Sequence, residues 1–162
     1  VPSRGLIGFR SQFMTETRGT GLLNTLFDGW EPSGEPMLRR TNGSLVTDRP
    51  GPATPYALYN LQPRGVLFIE PGTQVYEGMV IGEHNRASDL DVNVTREKKL
   101  TNIRAAGKDD NVVLAPPHRH SIDSALEFID RDELVEVTPD AVRVRKRVLE
   151  QRRRPRRDDA RV

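Results

Sequence analysis

Apolar residues fall first at helical spacing along this chain and then in short interrupted runs. Leu6, Phe9 and Phe13 recur on one face, with Ile7 and Met14 beside them, and Ser3 after Pro2 supplies an N-cap, so a helix is predicted over 3–18. Gly5 and Gly8 lower its propensity and are read as room for close packing against something flat. Gly19 and Gly21 are stop signals, and Leu22–Trp30 is then predicted to be a strand. One helix and one strand cannot bury both of their faces. Residues 1–31 are therefore expected to be the end of a domain whose beginning lies elsewhere. With its stripe of Leu6, Phe9, Phe13 and Met14, this segment is expected either to be disordered or to be buried against another copy or the adjacent domain. Pro32, Gly34 and Pro36 mark a linker over 32–36.

From residue 37 the pattern changes to short strands cut by Gly and Pro. They are predicted at Ser44–Thr47, Ala53–Leu61, Val66–Ile69 and Met79–Glu83, followed by Asp91–Thr95 and Val112–Leu114. Asn42-Gly43, Pro63-Arg64-Gly65 and Pro71-Gly72 supply the turns, and residues 85–111 read as a long excursion. Ser121 caps one helix with Ile122, Ala125, Leu126 and Ile129 on a single face. Strands Leu134–Val137 and Ala141–Val148 follow, joined by Thr138-Pro139-Asp140. On the second, Val142, Val144, Lys146 and Val148 alternate with a ladder of Arg143, Arg145 and Arg147. Residues 151–162 are Arg-rich without periodicity and predict a disordered tail. The expected class is α+β, mainly β: a barrel-like or sandwich-like domain over 37–150 with one helix and a long basic loop.

Composition narrows the functional classes. The chain of 162 residues is 35% hydrophobic and 30% charged, and it has no cysteine, so neither disulfides nor thiolate chemistry enter. No apolar run approaches the ~18 residues of a membrane span, so no membrane partner is expected and a cytoplasmic location fits. The net charge is +2, but from Asp140 onward ten bases face four acids, giving +6 and leaving residues 1–139 at −4. Attraction to nucleic acid must then be local, from a basic loop and the Arg-rich tail. It concentrates in Arg96–Lys108, where Arg96, Lys98, Lys99, Arg104 and Lys108 oppose Glu97 alone, a local +4. Thr101 and Asn102 add neutral hydrogen-bonding groups, while Leu100 and Ile103 are its apolar anchors. Cations interleaved with amide and hydroxyl groups suit a phosphate backbone with some reading of sugar or base edges. The alternative is a solvated surface loop.

His84 and Arg86 open the same excursion and are candidates for the same surface; an ordinary strand-end histidine is the other reading of His84. His118 and His120 flank Arg119, but a metal site needs three or four ligands at fitting spacing, so none is assigned. Glu127, Asp130, Asp132, Glu133 and Glu136 lack a nucleophile or a histidine partner, and ion pairs to the arginine ladder or a solvated helix end are the expected uses. Arg143, Arg145 and Arg147 are equally candidates for phosphate binding. The chain has no phosphate-binding GxxxxGK[ST], GxSxG, HExxH or GxGxxG motif, and nothing points to catalysis by these residues.

Several stretches, in order, carry a resemblance: VPSRGLIGFRSQFMTETRGTG, NGSLVT, ALYNLQPRG, VYEGMVIGEH, KKLTNIRA and ALEFIDRDELVEVTP. Over residues 1–150 the chain resembles the C-terminal third of the BipA/TypA family of ribosome-associated translational GTPases. The resemblance implies that 1–31 are the last helix and strand of a ferredoxin-like domain shared with elongation factor G. Residues 37–150 would be the family's own C-terminal domain. It implies as partners the ribosome, large-subunit rRNA and the acceptor end of an A-site tRNA. His84, Arg86, Lys98, Lys99, Leu100, Thr101, Asn102, Ile103 and Arg104 fall on the matching stretch. It further implies roles in translation regulation, ribosome assembly and the stress response, with GTP and Mg belonging to a domain outside this chain and no cofactor within it. Glu97 departs from the pattern by adding a negative charge where a small residue is usual, and Ile103 replaces a methionine. Pro63 and His118-Arg119-His120 are local variants, and the tail after Gln151 lies outside the pattern. A protein–protein module using the arginine ladder and the acidic helix is the rival reading.

Overall fold

The computed structural model describes residues 1–6, 9–32, 40–98 and 113–154. Two helical pieces open it, a 3-10 turn at Ser3–Leu6 and α1 at Phe9–Glu16, where one helix over 3–18 is expected. Residues 20–32 form no strand, contrary to expectation, and Leu22, Leu26, Phe27 and Trp30 are exposed. A strand needs a hydrogen-bonding neighbour, and among the described residues none pairs with this segment.

The remainder is built on β5 (Met79–His84), the middle strand of a mixed six-stranded sheet. β1 (Ser44–Thr47) runs antiparallel to it, with Leu45 opposite Gly82 and Val46 opposite Val80. β6 (Leu90–Val92) lies parallel to the far edge of β1. The other side of β5 is shared. β3 (Gly65–Leu67) pairs with its His84 end, and β8 (Val142–Lys146) with its Met79 end. β7 (Glu133–Val137) completes a hairpin with β8, closed by Thr138 N–H donating to the Ala141 carbonyl at 2.9 Å. β2 (Gly51–Pro52) and β4 (Gln74–Val75) form a separate ribbon.

Alternation along the central strands sends side chains to two cores. Leu45, Met79 and Ile81 join Leu58, Leu61, Leu67, Val92 and Val94 on one side, under α2 (Pro55–Leu61). Val46, Val80 and Val144 join Ala125 and Phe128 of α3 (Ile122–Phe128) on the other. With a helix on each face, every residue of β1 is buried. This arrangement corrects the barrel-like picture: the class is α+β and mainly β, but the described strands form an open sheet. It also corrects the single-helix expectation, because most of the segment 53–61, expected as a strand, is helical. Thr54 caps α2 by accepting from Ala57 N–H at 3.2 Å, and Pro55 occupies its first turn, where a missing N–H costs nothing. The cap expected at Ser121 is present, accepting from Ser124 N–H at 3.2 Å.

The excursion over 85–111 is only partly an excursion. β6 lies within it, and Val92 and Val94 are core residues. At the other end, residues 151–153 of the expected disordered tail form a 3-10 turn. Arg154 Nη1 pairs with Asp91 Oδ1 at 2.6 Å. Residues 155–162 lie outside the described residues.

Candidate nucleic-acid interface

The basic stretch leaves the body at a fixed point. Thr54 N–H donates to the Val94 carbonyl at 2.8 Å, and Thr54 Oγ1 donates to the Arg96 carbonyl at 2.6 Å. The residue that caps α2 therefore also holds the first residue of the stretch. Arg96, Glu97 and Lys98 are exposed beyond it. Lys99, Thr101, Asn102, Arg104 and Lys108 lie outside the described residues. The chain is caught again at His118, whose N–H donates to the Leu67 carbonyl at 2.8 Å. Strand β3 and the cap of α2 thus fix the two ends between which the cations lie.

His84 and Arg86, expected together on this surface, are separated by burial. His84 is 5% exposed, and its Nδ1 lies 2.6 Å from the Ser88 carbonyl, to which it donates. The surrounding backbone is close-knit. His84 N–H donates to Gly43 O at 2.8 Å, and Gly43 N–H to Arg86 O at 2.6 Å. A Cβ on Gly43 would stand 2.1 Å from the Ser88 carbonyl oxygen, so only glycine fits. His84 holds a turn from the inside, and Arg86 is the exposed member of the pair.

The arginine ladder faces away from the α3 core. Arg143 stands opposite Glu136 and Arg145 opposite Leu134 in the β7–β8 register. Tyr76 donates to Glu136 Oε2 at 2.5 Å on the same face, and Arg145 Nη1 donates to the Lys146 carbonyl at 3.3 Å. Burial, then the bond to Glu136, push the Tyr76 phenol upward. Arg147 is exposed.

Asp132 and Glu133 pair with Lys146 and not with the arginine ladder. Lys146, on the apolar face of β8, is 2% exposed, with Nζ at 2.5 Å from Asp89, 2.8 Å from Asp132 and 2.9 Å from Glu133. Glu133 also accepts from Arg40 at 3.0 Å and from Ser44 Oγ at 2.6 Å. Burial alone would raise the Glu133 carboxyl, but Lys146 and Arg40 outweigh it and hold it at about 2. Burial likewise works against the Lys146 ammonium, and Glu133 and Asp89 reverse it, so its pKa is raised. Five charges thus join the base of the excursion at Asp89 to the β7–β8 hairpin. Glu133 and Asp132 are engaged there and Glu136 on Tyr76, which removes part of the acidic surface of the rival protein-binding reading, while Asp123 and Glu127 of α3 stay exposed.

Among the described residues, no three or more His, Asp or Glu groups are placed to hold a metal ion, and no helix is long and apolar enough to cross a membrane. Sequence reasoning passed over Lys146 and Arg40. Lys146 had one signal, a lysine continuing the alternation of Val142 and Val144.

The architecture is a mixed sheet with a helix on each face that holds both ends of a basic excursion. Residues 42–151 match the family described as the TypA/BipA C-terminal domain, and the chain belongs to that family. It is 52% identical over 157 residues to the large ribosomal subunit assembly factor BipA of Haemophilus influenzae, covering 96% of this chain and 26% of that protein. It is 55% identical over 151 residues to the protein of that name from Escherichia coli K12, covering 92% and 25%. With the Bacillus subtilis protein of that name the identity is 46% over 156 residues, covering 95% and 25%. The chain therefore spans about a quarter of the length of these relatives.

Proposed function

We propose that this chain is the ribosome-docking end of a translational GTPase acting in assembly of the large subunit. Its basic stretch Arg96–Lys108 meets large-subunit RNA and the acceptor end of a tRNA at the A site. GTP and Mg2+ belong to another domain of the parent protein, which works in the cytoplasm, in translation regulation and under stress. Residues 1–31 end a ferredoxin-like domain, with a linker over 32–36 and the family's own domain over 37–150. The chemistry of this chain is recognition. The observation that carries the reading is the tethering of a +4 stretch at Thr54 and Leu67 in a chain whose relatives are named for assembling the large ribosomal subunit. Lys98, Lys99, Arg104 and Lys108 supply cations for phosphates, and Thr101 and Asn102 supply neutral hydrogen bonds. Arg86 adds a cation from the neighbouring turn, which His84 supports from within. Arg143, Arg145 and Arg147 are a secondary phosphate-binding face. Cosedimentation with large ribosomal subunits tests the reading. The intact chain is expected to pellet with them, and a version with 97–110 replaced by a short Gly-Ser linker to remain in solution. Equal pelleting of both would overturn it.

A further inference from the structure

Between β3–β5 and α3 lies a cleft of about 420 Å³ that the docking surface does not use. Its walls are aromatic. The Phe68 ring meets His120 edge-on at 4.3 Å and Phe128 at 5.1 Å, and the exposed His118 ring stands 5.0 Å from His120. Its polar groups include two carboxylates, Glu83 and Glu127. Its volume falls within the range of small-ligand sites.

The hydrogen-bonding character of the cleft follows from Ser124. Its hydroxyl donates to the Ser121 carbonyl at 3.1 Å, so toward His120 Nδ1, 3.2 Å away, it accepts. Nδ1 then carries the proton and Nε2 is a lone-pair acceptor. Nε2 is buried and has no hydrogen-bond partner. Burial, and then the nearby His118, lower this imidazole to about 4, which keeps it neutral. Nε2 and the Glu127 carboxylate are thus acceptors seeking donors. The carboxylates repel phosphate, so a nucleotide would enter base first. The Arg40 guanidinium already lies 4.0 Å over the Phe128 ring, which disfavours a second cation such as a lysine or arginine side chain.

We propose that this cleft receives one unstacked guanine from a single-stranded RNA segment. Guanine offers two adjacent donors, N1–H and the N2 amine, which match one carboxylate, and its faces stack on imidazole and phenyl rings. The His118 ring, exposed and 5.0 Å from that of His120, supplies a second imidazole wall for the base. This rests on the RNA-binding reading above, and a probe without phosphate separates the two.

The probes are guanosine, GMP, a heptamer of uridines, and the same heptamer with a central guanine, each added to the whole chain. The side-chain signals of His118 and His120 are followed by NMR. Guanosine and the guanine heptamer are expected to shift both imidazoles, and the uridine heptamer to leave them in place. His118→Ala and Glu127→Gln, both at exposed positions, are each expected to weaken the guanine heptamer about tenfold, with no change in salt slope because neither side chain neutralises a phosphate. Unmoved imidazoles, equal response to the uridine heptamer, or unaltered affinity in both variants would overturn the proposal. GMP binding tighter than the heptamer would overturn the assignment to RNA. None of these outcomes bears on the basic stretch, whose signature is salt dependence of ribosome binding.

Discussion

Lys146 Nζ lies 2.9 Å from Glu133 Oε1, with only 2% and 0% of the two side chains exposed. Two facing strands thus meet through an ion pair where their neighbours Val144 and Val135 meet through carbon. Deleting one member of such a pair leaves a buried charge without compensation. Lys146→Met is expected to cost about 3 to 5 kcal/mol, read as a lowered denaturant midpoint. The double change Lys146→Met with Glu133→Leu should recover part of that loss, since an apolar pair carries no desolvation penalty.

The same cluster sets an acid limit. Glu133 is held at about 2 in the folded chain against an ordinary 4.5. A depressed folded pKa means that the unfolded chain binds the proton first as pH falls. The contribution is therefore complete above pH 4.5 and disappears between there and 2, an amount on the order of 3 kcal/mol. Glu133→Gln should flatten that limb in unfolding curves taken from about pH 6 down to about pH 2. An undiminished acid limb in the variant would place the titrating group elsewhere.

Thr54 has two duties, capping α2 and holding Arg96. Thr54→Ala is expected to cost about 0.5 to 2 kcal/mol in thermal unfolding, the usual range for removal of a cap. Thr54→Ser should keep the stability and the anchor. Faster amide exchange at Ala57 together with a shifted carbonyl-carbon NMR signal of Arg96, in the alanine variant alone, would show both duties failing together.

Much of the domain was legible where local chemistry decides structure. The Val142–Val144 alternation, the Ser121 cap and the β5 run all needed only neighbours in sequence. Residues 53–61 read as a strand because their apolar positions suit either period, although Thr54-Pro55 is a helix-start pair and should have decided it. Leu22–Trp30 has strand composition, but a strand exists only with a partner. Lys146 was invisible for another reason. Its burial depends on Asp89, more than fifty residues earlier, and no local pattern announces that meeting. The cleft likewise needs Phe68 and Phe128, distant in sequence, to come together on one face of the sheet. Of the interface, the charge was plain in the sequence, whereas its anchors at Thr54 and Leu67 and the interior position of His84 required the fold.

The basic stretch itself can be dissected by separating charge from hydrogen bonding. Lys98, Lys99 and Arg104 replaced together by Ala should change stability by no more than about 0.5 kcal/mol per site, as surface substitutions usually do. Each phosphate left without its cation lowers the slope of log affinity against log salt by roughly 0.7 to 0.9, so the triple change should lower it by about 2 to 3. Asn102→Ala should behave differently. An amide hydrogen bond releases no counterion, so affinity for large subunits should fall while the slope stays at its wild-type value. Titrations of the three chains at several salt concentrations distinguish the cases. A triple variant that folds normally and keeps both the affinity and the salt slope of the wild type would reduce Arg96–Lys108 to a solvated loop, and the RNA-docking assignment would fall with it.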